Sequence, residues 1–191
     1  MLEYEKKVML SKEEYFALMS NLRDDASSYV QTNYYFDTED LKMNDKGITC
    51  RVRCKDGKYT ATIKNHLIQN YCSSEDSFEV DDIFEGETFK KMNLQYQGCL
   101  VTTRTVVQKD DFCEVVLDRN DYLGHTDYEL EIEHTYAFGK YVFRLLEGAA
   151  ESLVASGLIK NHDELIKRVE NSKSKSQRFL EAKKNQRRET Q

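Results

Sequence analysis

The chain has no proline and no tryptophan, and it has no apolar run approaching the length that crosses a bilayer. That last absence excludes a transmembrane helix, which needs about 20 consecutive apolar residues. The opening stretch MLEYEKK is charged where a secretory leader is apolar, so no signal peptide is expected. Positive charge is not in excess either. With 28 Lys and Arg against 34 Asp and Glu the net charge is −6, which argues against a general nucleic-acid binder. An acidic protein can still hold a local basic pocket, so a small anionic ligand remains open. The missing proline carries no functional reading.

Paired metal-ligand spacing is also missing. The five cysteines are odd in number, and Cys50, Cys54, Cys72, Cys99 and Cys113 do not form the doublets of a zinc site. Cys50 and Cys54 share a strand face opposite two arginines, where a small thiol packs as core. A reducing, cytoplasmic setting is expected. His66, His125, His134 and His162 show no ligand spacing and receive no role. Disorder is excluded too, because 12 Tyr and 9 Phe are spread through periodic segments. A chain of 191 residues is long enough for one domain with a proper core.

What is present is charge laid out with a two-residue stride. Glu3, Glu5 and Lys7 alternate at the start, and Arg51 and Arg53 alternate with Cys50, Val52 and Cys54. Thr60, Thr62 and Lys64 alternate with Ala61 and Ile63, and Glu129, Glu131 and Glu133 alternate with Tyr128, Leu130 and Ile132. A strand sends successive side chains to opposite faces, so each run presents one charged face and one mostly apolar face. Strands are expected at 2–10, 29–38, 48–55, 58–65, 72–81, 99–108, 112–118 and 127–136. Asp56-Gly57 marks a tight hairpin, and hairpin links imply antiparallel pairing. Ser11 with Glu14 reads as a capping box opening a helix. Further helices are expected over 85–96, over 138–155 with a stop at Gly157, and from Asn161 to 170. The segment SKSKSQRF (172–179) reads as a short basic extended piece, and 181–191 as a frayed polar tail.

Charge on one face of nearly every strand cannot sit inside an ordinary sandwich. The fold class that accommodates it is α+β, a closed or nearly closed antiparallel β-barrel of about eight strands with flanking helices. Its interior is a charged tunnel and its apolar faces turn outward. Carboxylates in one place and cations in another suit a hard divalent metal beside a polyanion such as a phosphate chain.

Taken in order, Glu3-x-Glu5-x-Lys7, NYYFDT (33–38), the pair Arg51 and Arg53, Lys64 in TIK, Arg104 in TTR, Asp118 in VLD, DYELEIE (127–133) and SKSKSQRF resemble the CYTH superfamily, the triphosphate tunnel metalloenzymes. The resemblance covers about residues 3–179, and implies a tunnel domain over 1–180 followed by the tail 181–191. It implies that Glu3, Glu5, Glu129 and Glu131 hold Mg²⁺ or Mn²⁺, with Asp118 supporting a second metal or the attacking water. Lys7 would meet the phosphate nearest the metal, while Arg51, Arg53, Lys64 and Arg104 grip the chain. Lys175 would fold back over the terminal phosphates, in one basic group with Lys173 and Arg178. Glu75 or Glu79 would fill a mid-chain acidic position, and strand parity leaves both open. Glu114 and Glu133 share faces with these acids and stand as further candidates. The arginine the family often places before the mid-chain acid is absent, its stretch here being Cys72-Ser73-Ser74. Tyr35 and Asp37 are expected to brace the site.

The implied activity is metal-dependent hydrolysis of a triphosphate, with inorganic tripolyphosphate first because no base-recognition element stands out. Thiamine triphosphate would need an aromatic platform, for which tyrosine would have to serve. A nucleoside triphosphatase, a class IV adenylate cyclase and a non-catalytic polyphosphate- or nucleotide-binding module are the alternatives. The expected partner is a small anionic triphosphate, with no nucleic acid and no membrane, and the chain a monomer or homodimer.

Overall fold

The computed structural model describes residues 2–22, 26–68, 71–83 and 87–189. It contains β1 (Leu2–Leu10), β2 (Ser27–Asp37), β3 (Ile48–Lys55), β4 (Lys58–Ile68), β5 (Cys72–Val80), β6 (Gln95–Lys109), β7 (Cys113–Tyr122) and β8 (His125–His134). These strands pair antiparallel and close into a barrel in the order β1-β5-β4-β3-β2-β6-β7-β8, as the alternating charge implied. The helices are α1 (Lys12–Ser20), α2 (Lys42–Asp45), α3 (Glu87–Lys91), α4 (Val142–Ala155), α5 (His162–Asn171) and α6 (Lys175–Glu189), with a 3₁₀ turn at Tyr136–Tyr141 leading into α4. No helix among the described residues is long and apolar enough to cross a membrane.

Local chemistry sets these boundaries. At the β3–β4 hairpin Asp56 (φ 51°) and Gly57 (φ 75°) are both left-handed, as the tightest twisted hairpin turn requires. Ser11 and Glu14 form the reciprocal capping box of α1. Glu14 also accepts from Arg168 Nη1 at 2.9 Å, which ties α1 to α5.

Register then decides which face looks inward. Lys7 lies opposite Glu131, Arg104 opposite Asp118, Asp118 opposite Glu129, and Lys64 opposite Glu75, so their side chains share the inner face. The apolar partners turn out. Val8, Leu117, Leu130 and Ile132 pack under Leu146, Leu153 and Leu165 of α4 and α5. A second cluster joins Val52 and Ala61 of β3 and β4 to Phe36, Phe89 and Leu94. Most of the hydrophobic core therefore lies outside the barrel, between sheet and helices, and a smaller cluster of Tyr35, Leu100 and Phe179 fills the end that α6 covers. All five cysteines are free thiols, with Cys50, Cys72 and Cys113 buried.

Three expectations are corrected. The helix placed at 85–96 is only α3, Glu87–Lys91, and 95–96 already belong to β6, while 85–86 lie outside the described residues. Strand β6 begins early, at Gln95, and Gln97 is an extra residue in it opposite the Tyr35–Phe36 step of β2, where its side chain bonds carbonyls of Asp37 and Thr38. The larger correction concerns the C-terminal segment, which is helical rather than extended and frayed. Ser174 and Gln177 form a capping box, with Gln177 N donating to Ser174 Oγ at 3.2 Å and Ser174 N to Gln177 Oε1 at 2.9 Å. The helix formers Lys, Gln, Arg, Leu, Glu and Ala then carry α6 to Glu189 through most of the supposed tail. Positions 190 and 191 lie outside the described residues.

Candidate active site

Helix α6 lies across one end of the barrel. Its first turns touch β7 and β8 through Lys175 and Arg178, β3 through Ser176, and β2 and β6 through Phe179. Phe179 fits because residue 98 is glycine. A Cβ there would stand 2.8 Å from the Phe179 ring, and the φ of +136° disfavours any side chain. The lumen this leaves is a cavity of about 200 Å³, lined by Lys7, Arg51, Arg53, Lys64, Arg104 and Lys175 and by Glu3, Glu5, Glu75, Glu131 and Glu133.

Most of these charges pair across the lumen. Lys64 Nζ is 2.7 Å from Glu3 and 3.6 Å from Glu5, while Lys7 Nζ is 2.9 Å from Glu5 and 3.7 Å from Glu131. Arg51 Nη2 is 3.6 Å from Glu75. Burial alone would raise the Glu5 carboxyl, but Lys7 and Lys64 overcome it and hold it below the usual carboxylate range. Glu133 goes the other way. Burial and then the neighbouring Glu131 charge push it up to about 7, against the pull of Arg104.

Arg53 differs from the other cations. Its Nε donates to Asn33 Oδ1 at 3.1 Å, and no carboxylate pairs with it among the described residues. Burial, followed by repulsion from Arg51 and Arg104, draws its pKa down to about 10. A guanidinium held in a cavity without an anion is poised for one.

At the closed end Asp118, Glu129 and Glu131 converge, each offering an oxygen within 4.8 Å of the others, and all three are buried. The Lys175 ammonium sits among them, 2.9 Å from Asp118 Oδ2, 2.7 Å from Glu131 Oε2 and in contact with Glu129. Burial favours the neutral forms of Glu131 and Lys175, but attraction between opposite charges wins. Glu131 is held well below the carboxylate range and Lys175 well above the ordinary amine range. Three buried carboxylates already gathered round one cation are a fitting donor set for a hard divalent ion such as Mg²⁺ or Mn²⁺.

The structure groups the expected residues differently from the resemblance in several places. Glu3 and Glu5 are not part of the converging group, because Lys64 and Lys7 take their carboxylates first. Arg104 is committed to acids, with Nε and Nη2 at 2.9 and 2.8 Å from Asp118 and Nη2 at 3.1 Å from Glu131. Arg178 lies behind the carboxylates, bonding Asp127 and reaching Glu129 at 2.9 Å, and does not line the cavity. Lys173, just before α6, is exposed and pairs with Glu181 at 2.8 Å. Of the two mid-chain acids Glu75 lines the cavity, while Glu79 is exposed near the open end of β5. Glu114 is also near that mouth, 3.2 Å from Lys109. Asp37 accepts the N–H groups of Met43 and Asn44 and so holds α2 rather than the lumen.

Other lumen residues escaped the sequence reading. Ser174, Ser176, Thr49 and His66 form a chain of polar contacts, with Ser176 Oγ 3.0 Å from Ser174 and 2.8 Å from Thr49, and Thr49 Oγ1 3.3 Å from His66 Nε2. Burial and then Lys64 push His66 down to about 4, so it is neutral. Its two-residue offset from Lys64 was the available signal. Asp127, two residues before Glu129, was likewise marked by parity. The serines are hidden in the sequence because the Ser-Lys alternation of 172–176 resembles an extended basic piece.

The sequence matches the CYTH domain family over residues 1–147. It is 31% identical over 147 residues to YjbK of Bacillus subtilis strain 168, described as a candidate triphosphatase, covering 69% of this chain and 77% of that one. Among solved structures, a candidate adenylate cyclase from Bacillus halodurans has a TM-score of 0.66 at 23% identity, covering 93% of this chain and 96% of its own. A Hippeastrum protein, described as a candidate adenylyl cyclase with a dominant triphosphatase activity, has a TM-score of 0.61 at 20% identity, covering 82% and 88%. Likeness at those identities is one of fold.

Proposed function

This chain belongs to the CYTH domain family, and from that premise we propose that it is a metal-dependent hydrolase of triphosphate compounds, with inorganic tripolyphosphate as its substrate. The observation that carries the reading is a small lumen lined by cations and reached by Glu131, with the buried Asp118 and Glu129 gathered behind it. Arg51, Arg53 and Lys64 stand on β3 and β4, while Asp118, Glu129 and Glu131 gather on β7 and β8. The relative described as a triphosphatase supports the reaction class. A cavity of about 200 Å³ with one end filled by α6 favours a bare phosphate chain.

The residues divide the work by chemistry. Asp118, Glu129 and Glu131 would hold the Mg²⁺ or Mn²⁺ ion, with Glu3 and Glu5 able to contribute from β1. When bound, that ion supplies charge neutralisation at phosphate oxygens and a water of lowered pKa. Arg51, Arg53, Lys64 and Lys7 hold the phosphate chain in line, which removes much of the orientational barrier to attack. Lys175 serves the terminal phosphate from the closed end, and Asp118 orients the attacking water. A bound anion also relieves the repulsion that Arg53 meets in the free protein.

Phosphate release from tripolyphosphate, thiamine triphosphate, ATP and pyrophosphate, each with Mg²⁺, Mn²⁺ or EDTA, tests the proposal. Metal-dependent release favouring tripolyphosphate, and lost in Glu5→Gln, is the expected result. Binding of tripolyphosphate without release from any compound would replace the hydrolase with a binding module or a cyclase.

A further inference from the structure

The inward face of β2 carries three side chains with a buried donor that meets no acceptor among the described residues. They are Gln31 Nε2, Asn33 Nδ2 and the Tyr35 hydroxyl, on residues 2%, 0% and 1% exposed. Arg51 Nε on the adjacent strand is a fourth. Register explains their company, since Asn33 lies opposite Arg53 and Tyr35 opposite Arg51 on one inner wall. Native proteins pair nearly all buried donors, so four unmet on one wall require a reason. The imbalance is directional. Asp118, Glu129 and Glu131, on β7 and β8, all meet cations, whereas these four donors of the β2–β3 wall meet no acceptor among the described residues.

Tyr35 is the best placed of these side chains. It lines the cavity, and its ring is fixed against Phe179 of α6 with centroids 4.9 Å apart. We propose that the Tyr35 hydroxyl is a substrate-binding group that donates a hydrogen bond to a non-bridging oxygen of the bound triphosphate, beside Arg51 and Arg53. This inference rests on the triphosphate reading above. Burial keeps the phenol protonated despite the neighbouring arginines, so the group donates without adding charge. A neutral donor among cations sets the orientation of the chain more than its attraction.

The test is Tyr35→Phe in the full chain, which removes the hydroxyl and keeps the ring on Phe179. Imidotriphosphate, a bridge-nitrogen analogue of tripolyphosphate, is titrated calorimetrically with Mg²⁺ present, and melting is measured without ligand. The dissociation constant should rise about tenfold or more, as expected for losing a hydrogen bond to a charged group. KM for tripolyphosphate should rise in step while kcat changes less than KM. The ligand-free melting temperature should hold or increase, because the hydroxyl has no partner to lose. An unchanged dissociation constant, with the wild-type chain binding normally, overturns the inference and leaves the functional reading intact. A clear drop in ligand-free melting temperature overturns it too, since the hydroxyl would then be bonded within the protein. A wild-type chain that neither binds the analogue nor hydrolyses tripolyphosphate overturns both.

Discussion

Replacing Arg53 with methionine separates a binding residue from a structural one. The guanidinium is drawn down to about 10 by burial, then by Arg51 and Arg104. Against an ordinary guanidinium that fall corresponds to about 3 kcal/mol of penalty on the charged form. Part of the side chain still meets solvent in the lumen, so screening reduces the cost to about 1–2 kcal/mol. The sign follows from linkage. A base whose folded pKa is lowered destabilises the fold at every pH below that value, so the penalty is fully present at neutrality. The variant also loses the bond to Asn33 at 3.1 Å, a loss of about 1 kcal/mol. Methionine retains most of the packing of the stem. The ligand-free protein should therefore melt at the wild-type temperature or up to about 4 °C above it. Affinity for tripolyphosphate should fall about hundredfold or more, because an ionised fork donor to phosphate is lost. Differential scanning fluorimetry with and without ligand measures both quantities. A ligand-free drop of about 5 °C or more would refute the reasoning, because Arg53 would then be stabilising the empty fold.

Three further perturbations follow from the same geometry. Lys175→Met leaves three converging carboxylates without their central ammonium and should destabilise the EDTA-treated protein by about 3–5 kcal/mol. Mg²⁺ should then raise its melting temperature more than that of the wild type, and equal shifts would show that the ion does not compete with Lys175. Glu133, raised to about 7, stabilises fully below its unfolded value near 4.5, and this contribution is lost as pH rises through 7. Glu133→Gln should consequently gain on the wild type in melting temperature as pH rises through neutrality, and a difference independent of pH would contradict the assignment. Gly98→Ala places a Cβ 2.8 Å from the Phe179 ring and should cost about 1–3 kcal/mol while exposing α6 to limited proteolysis. Unchanged melting and cleavage would show that α6 does not depend on that contact.

The barrel reverses the usual arrangement of a small domain. Apolar residues such as Val8, Leu130 and Ile132 close the core on the outside, which frees the inside for charge. Desolvating so many ions is expensive unless each finds a counterion, and most do. The departures are informative. Among the described residues Arg53 lacks a paired carboxylate and Tyr35, Asn33 and Gln31 have donors without acceptors, and all lie on the β2–β3 wall. The ligand-free protein thus holds strain where a polyanion would relieve it.

Much of this was legible in the residues. Alternation such as Glu129-Leu130-Glu131-Ile132 reveals which side chains share a face, because strand geometry has a period of two. Asp56-Gly57 and the Ser11–Glu14 box located a turn and a helix start through local bonds alone. Parity could not rank residues on one face, so Glu75 and Glu79 were inseparable until the length of β5 placed one in the cavity and the other near the mouth. The Ser174–Gln177 capping box is equally local, but the alternating Ser and Lys of 172–179 have the look of a basic extended piece and mask it.

By itself, then, the sequence determined the strand periodicity, the antiparallel barrel with its charged interior, and the family signature, because these depend on residue spacing within single strands. Tertiary structure alone decided which carboxylates converge, which cations are already taken and which donors are left unmet. It brought Lys175 to Asp118 across 57 residues of chain and to Glu131 across 44, and laid Phe179 over Gly98 to fill one end of the barrel. Those pairings follow from how the sheet closes and where α6 lies against it, and spacing along a strand carries no information about either.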